Sequence, residues 1–208
     1  MPSVIPYPLL MSVQHGTMHF RYRGLPLLKN PFDLAIYPLL LAQARPCSLI
    51  EIGAHRGGSA IWFADIAANL DLPLHVHSID VSPVHDVAHP SVTFLEGSAR
   101  DLDRVLGDDL FASLPRPLLV VEDADHHFDT CLSVMRFFDR RLLPGEYMVI
   151  EDGILSDMQV ADRYAGGPAE AIAAFLAACA GRYEVDRAFC DYFGCNVTWN
   201  VDGYLRRL

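Results

Sequence analysis

The 208-residue sequence has a single lysine, Lys29; every other one of its 16 basic residues is arginine. Against 26 acidic residues this leaves a formal charge of −10, and so little positive charge argues against a general nucleic-acid binder. No apolar run approaches the roughly 20 residues needed to cross a bilayer. The opening Met1-Pro2-Ser3-Val4-Ile5-Pro6 lacks the basic region of a secretory signal, so no membrane partner is expected. The five cysteines (Cys47, Cys131, Cys179, Cys190, Cys195) contain no CxxC pair, which disfavours both a disulfide framework and a structural zinc site. Cys47 and Cys131 read as buried thiols, and the expected compartment is the reducing cytosol. A GxGxxG loop is also missing, which counts against a dinucleotide-dependent oxidoreductase.

What is present is a globular composition, 51% apolar and 20% charged, in a length that suits a single domain spanning 1–208. Residues 1–32, rich in proline, read as irregular. Helical spacing begins at Asp33 and runs to Ala44, with Asp33 favourably placed on the helix dipole. Short apolar runs then alternate with helical segments. Strands are expected at 48–52, 74–79, 92–95, 117–121 and 147–150, with helices at 57–70, 102–111, 128–143 and 169–180. Strand-like stretches around 196–200 and 203–205 close the chain. This alternation predicts an α/β fold, a Rossmann-like doubly wound sheet, in which ligands bind beyond the carboxyl ends of the strands.

Those strand ends carry the chemistry. The first leads into Glu51-Ile52-Gly53-Ala54-His55-Arg56-Gly57-Gly58-Ser59, whose glycines give a ligand backbone room before a helix N-terminus. The second ends in Asp80, placed to accept from ribose hydroxyls or to cap a helix. The fourth ends Glu122-Asp123-Ala124-Asp125-His126-His127 and the fifth Glu151-Asp152. Five carboxylates on one sheet edge repel one another unless a divalent cation joins them, and hard oxygen donors favour Mg²⁺. His126 and His127 are candidate bases near neutral pH. His75, His77, His85 and His89 read as structural or solvated residues.

Taken together, the glycine loop, Ser78-Ile79-Asp80, Asp-Ala-Asp-His and Ile150-Glu151-Asp152 resemble the class I S-adenosylmethionine-dependent methyltransferases. More closely, the chain from Tyr22-Arg23-Gly24-Leu25-Pro26-Leu27-Leu28-Lys29-Asn30-Pro31 to its end resembles their cephalosporin hydroxylase-like (CmcI-type) family. The resemblance implies a mostly parallel seven-stranded sheet with its last strand antiparallel. It places Glu51, Gly53, Ala54, Gly57, Gly58 and Ser59 around S-adenosylmethionine, Asp80 on the ribose and Gly97-Ser98 beside the adenine. Asp123, Glu151 and Asp152 match the metal-binding carboxylates, with Asp125 a rival to Asp123. Lys29 and Asp123 are carried as further cofactor contacts. Two departures stand out: Glu122 lies where an apolar strand residue is more usual, and His127 doubles His126. The implied activity is Mg²⁺-assisted O-methylation of a small natural product or sugar-containing metabolite, its hydroxyl or vicinal diol held by the metal. His126 or His127 would take the proton. Alternatives are a non-catalytic S-adenosylmethionine-binding protein or an NAD-linked oxidoreductase. The segment 153–167 reads as a lid, and the aromatic tail (Tyr192, Phe193, Trp199, Tyr204) as core, with a homo-oligomer interface its alternative.

Overall fold

The structure, a computed structural model, describes residues 1–179 and 181–208. Seven strands form one sheet: β1 (Ser48–Ile52), β2 (His75–Asp80), β3 (Val92–Glu96), β4 (Leu118–Glu122), β5 (Tyr147–Ile150), β6 (Tyr183–Val185) and β7 (Tyr204–Arg207). Their order is β3-β2-β1-β4-β5-β7-β6; the first five are parallel, and β7 runs antiparallel to both its neighbours. Alternate residues face opposite sides of a strand. Ile50, Ile52, Val120, Met148 and Ile150 therefore face one apolar layer, while Leu49, Val76, Leu119, Val121 and Val149 face the other. Burial on both faces explains why these strands read as unbroken apolar runs.

The helices divide accordingly. On the first face lie α4 (Leu102–Leu106), α5 (Asp108–Ser113), α6 (Phe128–Asp139) and α7 (Gly167–Ala178). On the second lie α2 (Pro31–Ala44), α3 (Gly58–Asn69) and α8 (Arg187–Cys190). The segment expected as one helix over 102–111 breaks at Gly107, whose φ of 56° ends α4 before α5 begins. Ala180, the last residue of the helix expected over 169–180, lies outside the described residues.

Several expectations need correction. The first 32 residues are not irregular: α1 (Tyr7–His19) starts after Pro6, followed by a hairpin pairing Arg21–Tyr22 with Leu25–Pro26. Proline in the first turn is compatible with a helix because its missing N–H is an orphan there anyway. Segment 153–167, expected as a loop, carries structure of its own beside the cavity. It forms two 3₁₀ turns and buries Ile154, Leu155 and Met158 against Leu10, Val197 and Trp199. Residues 196–200 form a buried loop instead of a strand, and the three-residue β6 takes the sheet edge. Of the tail aromatics, Trp199 and Tyr204 are buried but Tyr192 and Phe193 are exposed; Cys47 is only half-buried.

The buried loop is tied down by Asp33. Its carboxylate accepts from the Thr198 hydroxyl, the Asn30 amide, the Trp199 N–H at 3.0 Å and the Tyr204 hydroxyl at 3.1 Å. An acid placed to favour a helix dipole thus also joins α2 to the C-terminal loop. No helix of the described residues is long and apolar enough to cross a membrane.

Candidate active site

Chain order reverses between β1 and β4, which are paired with Ile52 opposite Glu122. The loops leaving these strands therefore emerge side by side at the switch point. The approach is so close that a Cβ on Gly53 would lie 1.9 Å from the Asp123 carbonyl oxygen, and Gly53 has φ of 105°. Gly58 is equally constrained, since its Cβ would lie 2.0 Å from the Pro26 carbonyl oxygen of the hairpin. The glycine loop is required first by protein packing, and that packing leaves a trough beside it.

One part of the trough, a cavity of about 330 Å³, is lined by Gly53, Ala54, His55, Ser59, Lys29, Asp123, Ala124, His126 and Asp152. Gln14, Met18, Leu28, Leu155, Met158, Tyr164 and Trp199 cover it. An adjoining part shares Gly53, His55, Asp123 and Ala124 and continues to Arg56, Asp80 and Ser82. At that end Asp80 accepts from the N–H groups of His55 (2.7 Å) and Ser82 (2.8 Å). Gly97 follows β3 and donates its N–H to the Asp80 carbonyl, and Ser98 accepts from Arg100. Neither lines these two cavities. Glu51 lies beneath the loop, buried, accepting from the Ser78 hydroxyl.

Three donors converge at the other end. One atom each from Asp123, His126 and Asp152 lie within 4.8 Å of one another, and the His126 Nε2 is 3.2 Å from Asp152 Oδ2. His126 and Asp152 both have left-handed backbones, with φ of 58° and 59°. Such conformations are disfavoured for residues with a side chain. Burial opposes charge on His126, but Asp152, Asp123 and Glu122 together outweigh it and raise the imidazole pKa. Burial likewise raises the Asp152 carboxyl, against the opposing pull of His126.

The remaining carboxylates separate. Glu151 is buried; its Oε1 accepts from the Tyr37 hydroxyl and lies 2.7 Å from the Lys29 Nζ. That ammonium also donates to Asp123 Oδ2 at 2.7 Å. Asp125 points elsewhere: it accepts from the His127 N–H (3.0 Å) and the Thr130 hydroxyl (3.0 Å) at the start of α6. It is not among the converging donors. His127 packs near Tyr164, with ring centres 5.6 Å apart, and is not among the converging donors. Sequence reasoning missed Tyr37, Gln14, Tyr164 and the cavity role of Trp199, because helical spacing marks Tyr37 only as an apolar core position.

Glu122 is fully buried, and burial pushes its carboxyl up to about 7 from an ordinary 4.5, against the partial relief of its Cys131 and His126 neighbours. A raised carboxyl binds its proton more tightly in the fold than in the unfolded chain. Its stabilising contribution is therefore complete below pH 4.5 and lost as pH rises through 7. Glu122→Gln is expected to remove a loss of about 3 kcal/mol across that window. Thermal unfolding of both proteins between pH 4.5 and 8 checks it; parallel curves would refute the assignment.

Residues 14–208 match the family described as rhamnosyl O-methyltransferase/CmcI. The chain belongs to this family. The rhamnosyl O-methyltransferase of Mycobacterium leprae is 31% identical over 195 residues, covering 89% of this chain and 82% of that protein. The Mycobacterium tuberculosis enzyme of the same name is 28% identical over 185 residues, covering 83% and 73%. Among solved structures, CmcI with Mg and SAM is 27% identical with a TM-score of 0.70, covering 92% of this chain and 77% of its own. The apo form of CmcI gives 26% and 0.73 over the same shares. As a member of this rhamnosyl O-methyltransferase/CmcI family, the protein is an O-methyltransferase on a Rossmann-like sheet.

Proposed function

We propose that this family member transfers the methyl group of S-adenosylmethionine to a hydroxyl of a deoxysugar, assisted by Mg²⁺. The observation that carries the reading is the convergence of Asp123, His126 and Asp152 at the cavity floor, beside the glycine loop and below an apolar cover. The donor set fits a divalent ion. Mg²⁺ prefers oxygen, so Asp123 and Asp152 would hold it, with Glu151 the third carboxylate. His126 is then left for the proton. The trough lined by Gly53, His55, Arg56, Asp80 and Ser82 would take the nucleoside, with Asp80 for the ribose hydroxyls and Ser59 near the amino-acid tail. Gly57 and Gly58 set the bend that opens it.

The sulfonium supplies an electrophilic methyl, and a bound metal supplies a lowered pKa for the acceptor hydroxyl. The rest falls to the protein. His126 accepts the hydroxyl proton at Nε2, the ring nitrogen that faces Asp152, its Nδ1 being buried, and the Asp152 carboxylate 3.2 Å away stabilises the imidazolium that forms. Met18, Leu28, Leu155, Met158 and Trp199 present an apolar surface suited to the carbon-bonded face of a deoxysugar and exclude water from the methyl path. Trp199 is fixed for this by its Nε1–H, which donates to Gln14 Oε1 at 2.7 Å. Alignment of the two reactants then supplies much of the acceleration.

The test is methyl incorporation from labelled S-adenosylmethionine into rhamnosides and glucosides, with EDTA and with Mg²⁺ restored. Incorporation into rhamnosides that EDTA abolishes is expected. EDTA-insensitive transfer would overturn the metal assignment, and preferred labelling of glucosides the deoxysugar assignment.

A further inference from the structure

Lys29, the one lysine of the chain, is 3% exposed, yet it lies in the wall of the catalytic cavity and not in the apolar core. Its ammonium sits 2.7 Å from Asp123 Oδ2 and 2.7 Å from Glu151 Oε1. It is held there from both sides along the chain. Two residues before it, Leu27 donates its N–H to the Phe20 carbonyl across the hairpin, and the following Asn30 caps α2 by accepting from the Phe32 and Asp33 N–H groups. Its Glu151 partner is held in turn by the Tyr37 hydroxyl, so neither end of the contact is free to drift.

A buried ion pair gains little over a well-packed apolar pair, so stability alone does not account for an ammonium at this point. Position does. Asp123 and Glu151 follow paired strands, Glu122 facing Ile150 in the β4–β5 register. Both carboxylates are ones that the metal reading would give to the ion, and a positive charge already lies 2.7 Å from each. We propose that Lys29 is a positioning residue that acts as a placeholder cation. It holds Asp123 and Glu151 together while the metal is absent and competes with the metal for them. The carboxylates need no rearrangement when an ion arrives, and the competition weakens metal binding in return. The inference rests on the metal-assisted reading above.

The experiment is calorimetric titration of Mg²⁺, and of Mn²⁺ as a tighter probe, into the wild-type protein, Lys29→Met, Lys29→Arg and the double variant Lys29→Met/Glu151→Gln. Melting curves with EDTA and with Mg²⁺ accompany each. Removing a unit charge a few ångströms from the ion is expected to tighten binding roughly tenfold or more in Lys29→Met. The same variant should melt lower than wild type in EDTA and gain more from Mg²⁺. Lys29→Arg keeps the charge and should stay near wild type, and the double variant should lose the added affinity. If Lys29→Met does not fold, the neutral Lys29→Gln is read in its place. Metal binding to wild type with no tightening in the neutral variant would overturn the placeholder role alone. No metal binding to any of the proteins would overturn the metal reading and this inference with it.

Discussion

Asp152→Asn is expected to lower methyl transfer by about a thousandfold or more while leaving S-adenosylmethionine binding within a few-fold of wild type. The substitution is chosen for the backbone: Asp152 has φ of 59° and ψ of 25°, a left-handed conformation that costs asparagine less than alanine. Any loss then reports charge and not strain. Two roles disappear together. One carboxylate of the pair proposed to hold the metal becomes a neutral amide, and the negative charge 3.2 Å from the His126 Nε2 is lost. A thousandfold corresponds to about 4 kcal/mol of transition-state stabilisation, a reasonable share for a group that serves both ion and base. Asp125→Asn is the control. Its oxygens accept from His127 and Thr130 at the start of α6, so turnover should change by less than threefold or so. Kinetics with saturating Mg²⁺ and calorimetry with S-adenosylmethionine distinguish the outcomes. Equal losses in both variants would mean that the acidic edge acts as a diffuse field and not through a defined pair.

The two aspartates show what the sequence makes legible and what it does not. Asp123 and Asp125 are two residues apart in a loop, and spacing alone cannot say which faces the cavity. Strand register decides it: β4 ends at Glu122 opposite Ile52, so Asp123 is the residue that meets Gly53. The middle of the sheet was readable because β1, β4 and β5 are buried on both faces, which writes them as apolar runs. The β6 edge was not, since β6 is only three residues long and its middle residue, Glu184, is exposed. The amino-terminal helix was hidden for another reason. It buries only Leu10 and Thr17, so no apolar periodicity announces it, although Gln14 and Met18 cover the cavity. Lys29 was conspicuous as the lone lysine, but its contact with Glu151 spans β5 and the hairpin and has no local signature. Side chains contributed from distant segments, such as Tyr37, Tyr164 and Trp199, are legible only after folding has brought them together.

His126→Asn tests the assignment of the base. Proton removal by a positioned side chain contributes typically about 10²–10⁴-fold, and a loss in that range is expected, with the His127→Asn variant close to wild type. Asparagine again suits the left-handed backbone at position 126, where φ is 58°. The pH profile gives the sharper evidence. A base must be neutral to accept a proton, so activity falls as pH drops through the imidazole pKa. Asp152, Asp123 and Glu122 raise that pKa above 6.5 in the metal-free site. A bound divalent ion offsets the same carboxylates, so the acid limb of the Mg²⁺-loaded enzyme should lie below the pKa that NMR titration of the His126 ring gives for the metal-free protein. In His126→Asn that limb should vanish and the residual rate should rise with hydroxide instead. Persistence of an unchanged limb would move the base elsewhere, with His127, whose ring also packs near Tyr164, the next residue to examine. The same profile separates the two roles open to the imidazole nitrogen. A proton acceptor gives a limb that settles at a fixed pH once Mg²⁺ saturates, whereas a metal ligand gives one that moves lower with every further rise in Mg²⁺, because protons and metal then compete for one atom.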